Sequence, residues 1–130
     1  MKIVILIIIF LNSFLLLSEV NSWECNKFDR AKIIAEDGTY LGVLGPRWIT
    51  NSIFNDSSKF SSSWSSESVY NSDSKYGNSY SQLSVFNDSA SKPPLIISKK
   101  GEVIGKLSVG PIWDNSRFNP YDIKYTCDWD

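Results

Sequence analysis

Apolar residues fall along this chain in three patterns, and each predicts a different kind of element. The first is a near-continuous run from Ile3 to Leu17, interrupted only by Asn12 and Ser13. The second is a pair of matching segments at an offset of 63 residues, Lys32 to Leu44 and Leu95 to Leu107. Each has a β-branched pair, then polar residues and a glycine (Asp37-Gly38, Lys100-Gly101), then a second apolar run with its own glycine (Gly42, Gly105). Asp-Gly and Lys-Gly between short apolar runs are hairpin turns. A glycine inside the second strand signals a bulge or a close backbone approach. The third pattern lies between them, where aromatic residues return every sixteen positions.

In steps of sixteen, Ser52-Ile53-Phe54-Asn55 becomes Ser68-Val69-Tyr70-Asn71 and then Ser84-Val85-Phe86-Asn87. Trp48, Trp64 and Tyr80 share one phase, and Phe60 and Tyr76 another. Agreement at several phases over three passes marks an internal repeat. Sixteen of the forty residues from Ser52 to Ser91 are serine, a composition typical of flexible linkers. Disordered tracts lack aromatics, however, so compact units are expected, with aromatics packing and serines capping. Within a unit, Ser65 can cap a turn at its N-terminal end and Asn71 can close it in the left-handed conformation. The expected fold is mainly β: a small antiparallel sheet from hairpins 32–44 and 95–107, with a repeat-rich insertion (48–91) of loops and short helical or 3-10 turns. The stretch from Ile112 to Cys127 is a candidate for another edge strand.

The first apolar run changes the compartment. Lys2 precedes it and Val20-Asn21-Ser22 follows, with small or β-branched residues at the minus-three and minus-one positions, as in a secretory signal peptide cleaved after Ser22. At roughly 15 residues it is short against the ~20 that span a bilayer. The expected product is a single secreted or periplasmic domain, residues 23–130, that meets the membrane only through its uncleaved signal. In an exported protein the two cysteines, Cys25 and Cys127, read as a disulfide that brings the ends together. Without Lys2 and Glu19, 12 basic and 13 acidic residues remain, which offers no footprint for nucleic acid.

The middle of the chain resembles small exported bacterial proteins that carry a Leu-Gly-x-Leu segment, sixteen-residue units of the form S-I-x-N-x-Y-G-x-Y-G-S-x-Y-S, and a closing segment with Pro-Pro and D-G-x-x-x-G-x-L. Here Leu41 to Leu44 reads LGVL, one unit reads SVYNSDSKYGNSYSQL from Ser68, and the last reads SVFNDSASKPP from Ser84. The likeness covers about Gly38 to Leu107. It is closest at Lys75 to Ser81 and departs in the first unit, where Phe60-Ser61 replaces Tyr-Gly. The resemblance implies this fold and export, and supplies no catalytic residues.

Candidate chemistry is sparse. The chain has no histidine, which removes Ser-His and Cys-His pairs and histidine metal sites. A Ser-Lys or carboxylate site through Lys75, Asp37 or Asp128 remains only formally open. A non-catalytic role is therefore expected, with no cofactor and no metal, acting through the repeat. A binding module would use Trp48, Trp64, Tyr80, Phe60 and Tyr76 to stack on sugar rings, and Asn55, Asn71 and Asn87 to bond hydroxyls. Calcium at the Asn and Asp positions is a weaker variant, because no EF-hand loop is present. The partners this implies are a surface glycan or an envelope protein. The competing and favoured reading makes the same aromatics the repeat's own core and the asparagines its turn-closers. Asn55-Asp56-Ser57 and Asn87-Asp88-Ser89 are also glycosylation sequons at equivalent repeat positions.

Overall fold

The computed structural model describes Val20 and residues 22–130, so the signal-peptide reading falls almost entirely outside the described residues. Both hairpins form where the apolar runs place them: β1 (Lys32–Ile34) with β2 (Tyr40–Val43), and β3 (Leu95–Ile97) with β4 (Val103–Leu107). Their first strands pair in antiparallel register, Ile33 opposite Ile96, giving the order β2-β1-β3-β4 for these four. Ile33, Ile96, Leu41 and Leu107 are fully buried on the core side of this sheet. The fifth strand, β5 (Arg117–Phe118), runs parallel to β4, so the sheet is mixed rather than wholly antiparallel. Beyond it the chain turns helical: Asn119 caps α2 (Pro120–Thr126) by accepting from the Tyr121 backbone N–H. A 3-10 turn (Ser22–Glu24) and α1 (Cys25–Phe28) open the chain. Cys25 and Cys127 are joined, 102 residues apart in sequence. Closing a loop of that length contributes about 4–5 kcal/mol by chain entropy. Val20 also reaches the core, a contact that cleavage after Ser22 would remove.

Gly42 and Gly105 occupy equivalent places in the two hairpins, and each is required by a close approach. A Cβ on Gly42 would lie 2.7 Å from the Asn51 carbonyl and 2.9 Å from Phe60, and one on Gly105 would lie 2.5 Å from the Phe118 ring. Both hairpins then continue alike, through Gly45-Pro46-Arg47-Trp48 and Gly110-Pro111-Ile112-Trp113. Each of these turns closes from the proline carbonyl, to Ile49 N–H at 3.0 Å and to Asp114 N–H at 3.1 Å. The chain then returns parallel to the hairpin it has just left: Ser52 bridges Val43, as Arg117 pairs with Lys106. The molecule thus contains two copies of one unit, made of a hairpin, a Gly-Pro-x-Trp turn and a parallel return.

The repeat contains no helix among the described residues. It is a chain of β-turns sharing corners, with bonds from Ser68 to Ser65, Asn71 to Ser68, Ser74 to Asn71 and Gly77 to Ser74. Nor does Asn71 adopt the left-handed conformation, since Arg30 and Asp128 are the non-glycine residues with positive φ. Successive turns wind into a coil whose rung is about eight residues. Ser68 Oγ donates to the Phe60 carbonyl, Ser74 Oγ to that of Ser66, and Lys59 pairs with Glu67 at 3.0 Å. Burial follows the same period. Positions 52, 60, 68, 76 and 84 are all buried, whereas 48, 56, 64, 72, 80 and 88 are all exposed. One sixteen-residue unit is two rungs.

The departure of the first unit now has a local explanation. A Cβ on Gly77 would stand 2.4 Å from the Asn71 carbonyl, whereas the equivalent Ser61 directs its Oγ to the equivalent Asn55 carbonyl. At this place one unit has no side chain and the other has a hydroxyl that bonds the equivalent carbonyl. Gly77→Ala should accordingly destabilise the protein by about 2–3 kcal/mol. Gly77→Ser should cost less, since it can copy the bond of Ser61. Urea titrations of the two variants compare them directly, and equal losses would contradict this account.

Candidate functional site

The repeat carries its aromatics in three columns, and the columns meet different fates. Phe60 and Tyr76 are buried, at 3 % and 4 % exposure. They face the first hairpin, with Phe60 edge-on to Tyr40 at 5.1 Å between ring centres. Phe54, Tyr70 and Phe86 face the C-terminal segment. Phe54 lies 6.4 Å from Trp129, and Phe86 lies 5.8 Å from both Tyr70 and Tyr121. Burial pushes the Tyr70 hydroxyl far above its ordinary value, helped by the neighbouring Tyr121. The third column is uncovered: Trp48, Trp64 and Tyr80 are 74 %, 89 % and 88 % exposed. Of the five aromatics read as the repeat's own core, Phe60 and Tyr76 are buried, whereas Trp48, Trp64 and Tyr80 are exposed. The stacking role read for Phe60 and Tyr76 meets the opposite obstacle, since both rings are buried.

The asparagines complete turns. Asn55, Asn71 and Asn87 each donate Nδ2–H to the carbonyl six residues back, at 3.0, 3.0 and 2.9 Å. Each Oδ1 accepts from the backbone N–H two residues ahead. One N–H and one lone pair of each amide, those of the sequon residues Asn55 and Asn87 included, are thus used within the coil. Among the described residues no group of three or more Asp, Glu or Cys is placed to hold a metal ion.

The exposed column sits on a ridge of mixed character. Asp56 and Ser72 occupy the rungs between Trp48, Trp64 and Tyr80, and Asp88 occupies the rung after Tyr80. Neighbouring rungs are joined backbone to backbone, Ile53 N–H to Val43 O and Val85 N–H to Tyr76 O, both at 3.0 Å. That bond sets a strand-like separation of about 5 Å, so the aromatics stand roughly 10 Å apart. Arg47 approaches Asp56 at 3.9 Å. The motif that reveals this ridge in the sequence is the sixteen-residue phase itself, although phase alone does not tell an outward column from an inward one.

Lys75 and Asp37, named above as formal catalytic candidates, form a latch between the repeat and the first hairpin turn. Tyr76 Oη donates to Asp37 Oδ2 at 2.7 Å and lies 2.9 Å from Thr39 Oγ1, and the Lys75 ammonium reaches the same carboxylate at 3.1 Å. Desolvation pulls the Asp37 carboxyl upward, but the bonds from Tyr76, Thr39 and Lys75 outweigh it and hold it well below the usual carboxylate range. The Asp37 carboxylate in turn raises the Lys75 ammonium. Asp128, the third candidate, is exposed at the C-terminal end of the chain. No protein-family model, curated protein or solved structure matches this chain.

The latch predicts a pH dependence of stability. A carboxyl held low in the folded state stabilises above its unfolded value, near 3.8, and that contribution is lost as pH falls toward the folded value. Tyr76→Phe should lose on the order of 1 kcal/mol at neutral pH. The gap from the parent should narrow as pH drops below 3.8. Thermal unfolding of both proteins from neutral pH downward measures it, and a gap independent of pH would remove Asp37 from the account.

Proposed function

We propose that this is an exported, non-catalytic binding protein that works outside the cytoplasm through the outer ridge of its coil. The observation that carries the reading is the uncovered column of Trp48, Trp64 and Tyr80 on a fold that buries its other repeat aromatics. Exposed large aromatics that recur at a fixed spacing form a contact surface, because each contributes rigid area and a polar edge at low entropic cost. Support for export comes from the apolar leader and the disulfide. Catalysis has no comparable support, since Lys75 and Asp37 are engaged with one another and with Tyr76. A surface glycan is the partner class the ridge favours over an envelope protein, because its aromatics alternate with small polar and acidic side chains. Calcium finds no comparable cluster among the described residues.

A triple variant, Trp48→Ala with Trp64→Ala and Tyr80→Ala, tests the reading. All three side chains are exposed, so stability should change by no more than about 0.5 kcal/mol per site. Retention on washed cell-envelope material should fall at least about tenfold, a loss of 1.4 kcal/mol or more. Binding of parent and variant in parallel, with tryptophan emission as a second readout on a glycan array, decides it. A variant that keeps its retention while remaining folded would sink the proposal.

A further inference from the structure

The coil does not end where the sixteen-residue repeat ends. Val85 accepts from Val109 N–H at 2.9 Å, just as Tyr76 accepts from Val85, so the segment after β4 forms the next rung. A Cβ on Gly110 would approach the Asp88 Cβ at 3.3 Å, which sets this rung directly against the one bearing Asp88. Arg117 fastens it there. Its Nη1 donates to the Ala90 carbonyl at 2.8 Å and the Gly110 carbonyl at 2.9 Å, and its Nε pairs with Asp114 at 3.1 Å. The rung carries Trp113, 84 % exposed, in the turn equivalent to that of Trp48. Trp113 therefore adds a fourth exposed aromatic to Trp48, Trp64 and Tyr80, on the rung beyond Asp88 and three residues past the Gly110 that faces it. An open hollow of about 550 Å³ is lined by Asp88, Ser89, Ser91, Pro111, Ile112 and Trp113.

Building on the proposed binding role, we infer that the ridge and hollow form a site for an extended, uncharged β-linked polysaccharide, with Trp113 as its fourth aromatic subsite. Three observations select that class. In an extended β-1,4-linked chain each pyranose is turned over relative to the last, so the same apolar face returns at every second ring. The ridge offers an aromatic at every second rung and hydrogen-bonding side chains on the rungs between. A helical α-linked chain has no such straight repeat. Finally, the fixed charges suit a neutral ligand: Arg47 and Lys59 are matched to the carboxylates of Asp56 and Glu67, while Asp88 can accept from hydroxyls and would repel a polyanion.

Titration of the full exported domain with cellohexaose, chitohexaose and maltohexaose, followed by calorimetry and tryptophan emission, tests this. At least one β-linked hexasaccharide should bind, its disaccharide should bind at least about tenfold more weakly, and maltohexaose should not compete. Trp113→Ala should weaken the hexasaccharide about three- to tenfold and leave the trisaccharide unchanged. Equal binding of α- and β-linked hexasaccharides overturns the ligand class, and full affinity in Trp113→Ala overturns the fourth subsite. If neither β-linked hexasaccharide binds while the triple ridge variant still loses envelope retention, the binding role stands and the polysaccharide is wrong. If the triple variant also keeps its retention, both fall together.

Discussion

A coil with an eight-residue rung has a backbone that it cannot satisfy by itself. Its turns close one bond in three residues, and too few ladder bonds join the rungs to use the remaining N–H and carbonyl groups. Buried backbone groups left without partners cost about 1–3 kcal/mol each. Short hydroxyl side chains supply what is missing. Ser52, Ser68 and Ser84 are fully buried, and each accepts from the backbone N–H two residues ahead. Ser52 and Ser68 also donate onward, to the carbonyls of Gly45 and Phe60. Ser58 and Ser74 accept in the same way from the N–H groups of Phe60 and Tyr76, and the asparagines bridge corners six residues apart. The abundance of serine that suggests a flexible linker is here the reason that the coil is ordered.

Hairpins were legible because their signals are local: an apolar pair, a turn glycine and a second run decide the pairing within a dozen residues. The joining of Cys25 and Cys127 was legible from compartment and number. The repeat was legible as a phase, but its rung was not, because the sequence identity recurs at sixteen while the geometry recurs at eight. Serine at 52, 68 and 84 and an aromatic at 60 and 76 look unrelated until burial places them in one column. Helical turns were expected from N-cap-like serines, yet a Ser Oγ accepting from the residue two ahead closes a β-turn equally well. The match between the two Gly-Pro-x-Trp turns was also in the sequence, and only the parallel returns beside them show why it matters.

What covers each aromatic column depends on long-range closure that no local pattern encodes. Tyr121 and Trp129 reach the column of Phe54, Tyr70 and Phe86 because the disulfide holds the end of α2 against α1. Tyr76 is covered because its hydroxyl meets Asp37 and Thr39 in a turn almost forty residues away in sequence. Nothing returns to the third column among the described residues.

The sixteen-residue period on an eight-residue rung has a packing cause in the core. Along the two innermost columns, large and small residues exchange places from rung to rung: Ser52-Ile53, Phe60-Ser61, Ser68-Val69, Tyr76-Gly77, Ser84-Val85. A bulky ring on one rung fills the space that the next leaves beside its serine, so two rungs make the smallest unit that fills the interior without voids. This complementarity reaches only as far as side chains touch across rungs. On the ridge, Trp48, Trp64 and Tyr80 project into solvent and fill no space in the interior. Packing would accept serine or aspartate there on every rung, as it does at Asp56, Ser72 and Asp88. The alternation of the ridge follows the period of the core without being required by its packing, and it is on this freedom of the ridge from the core that the proposed binding role rests.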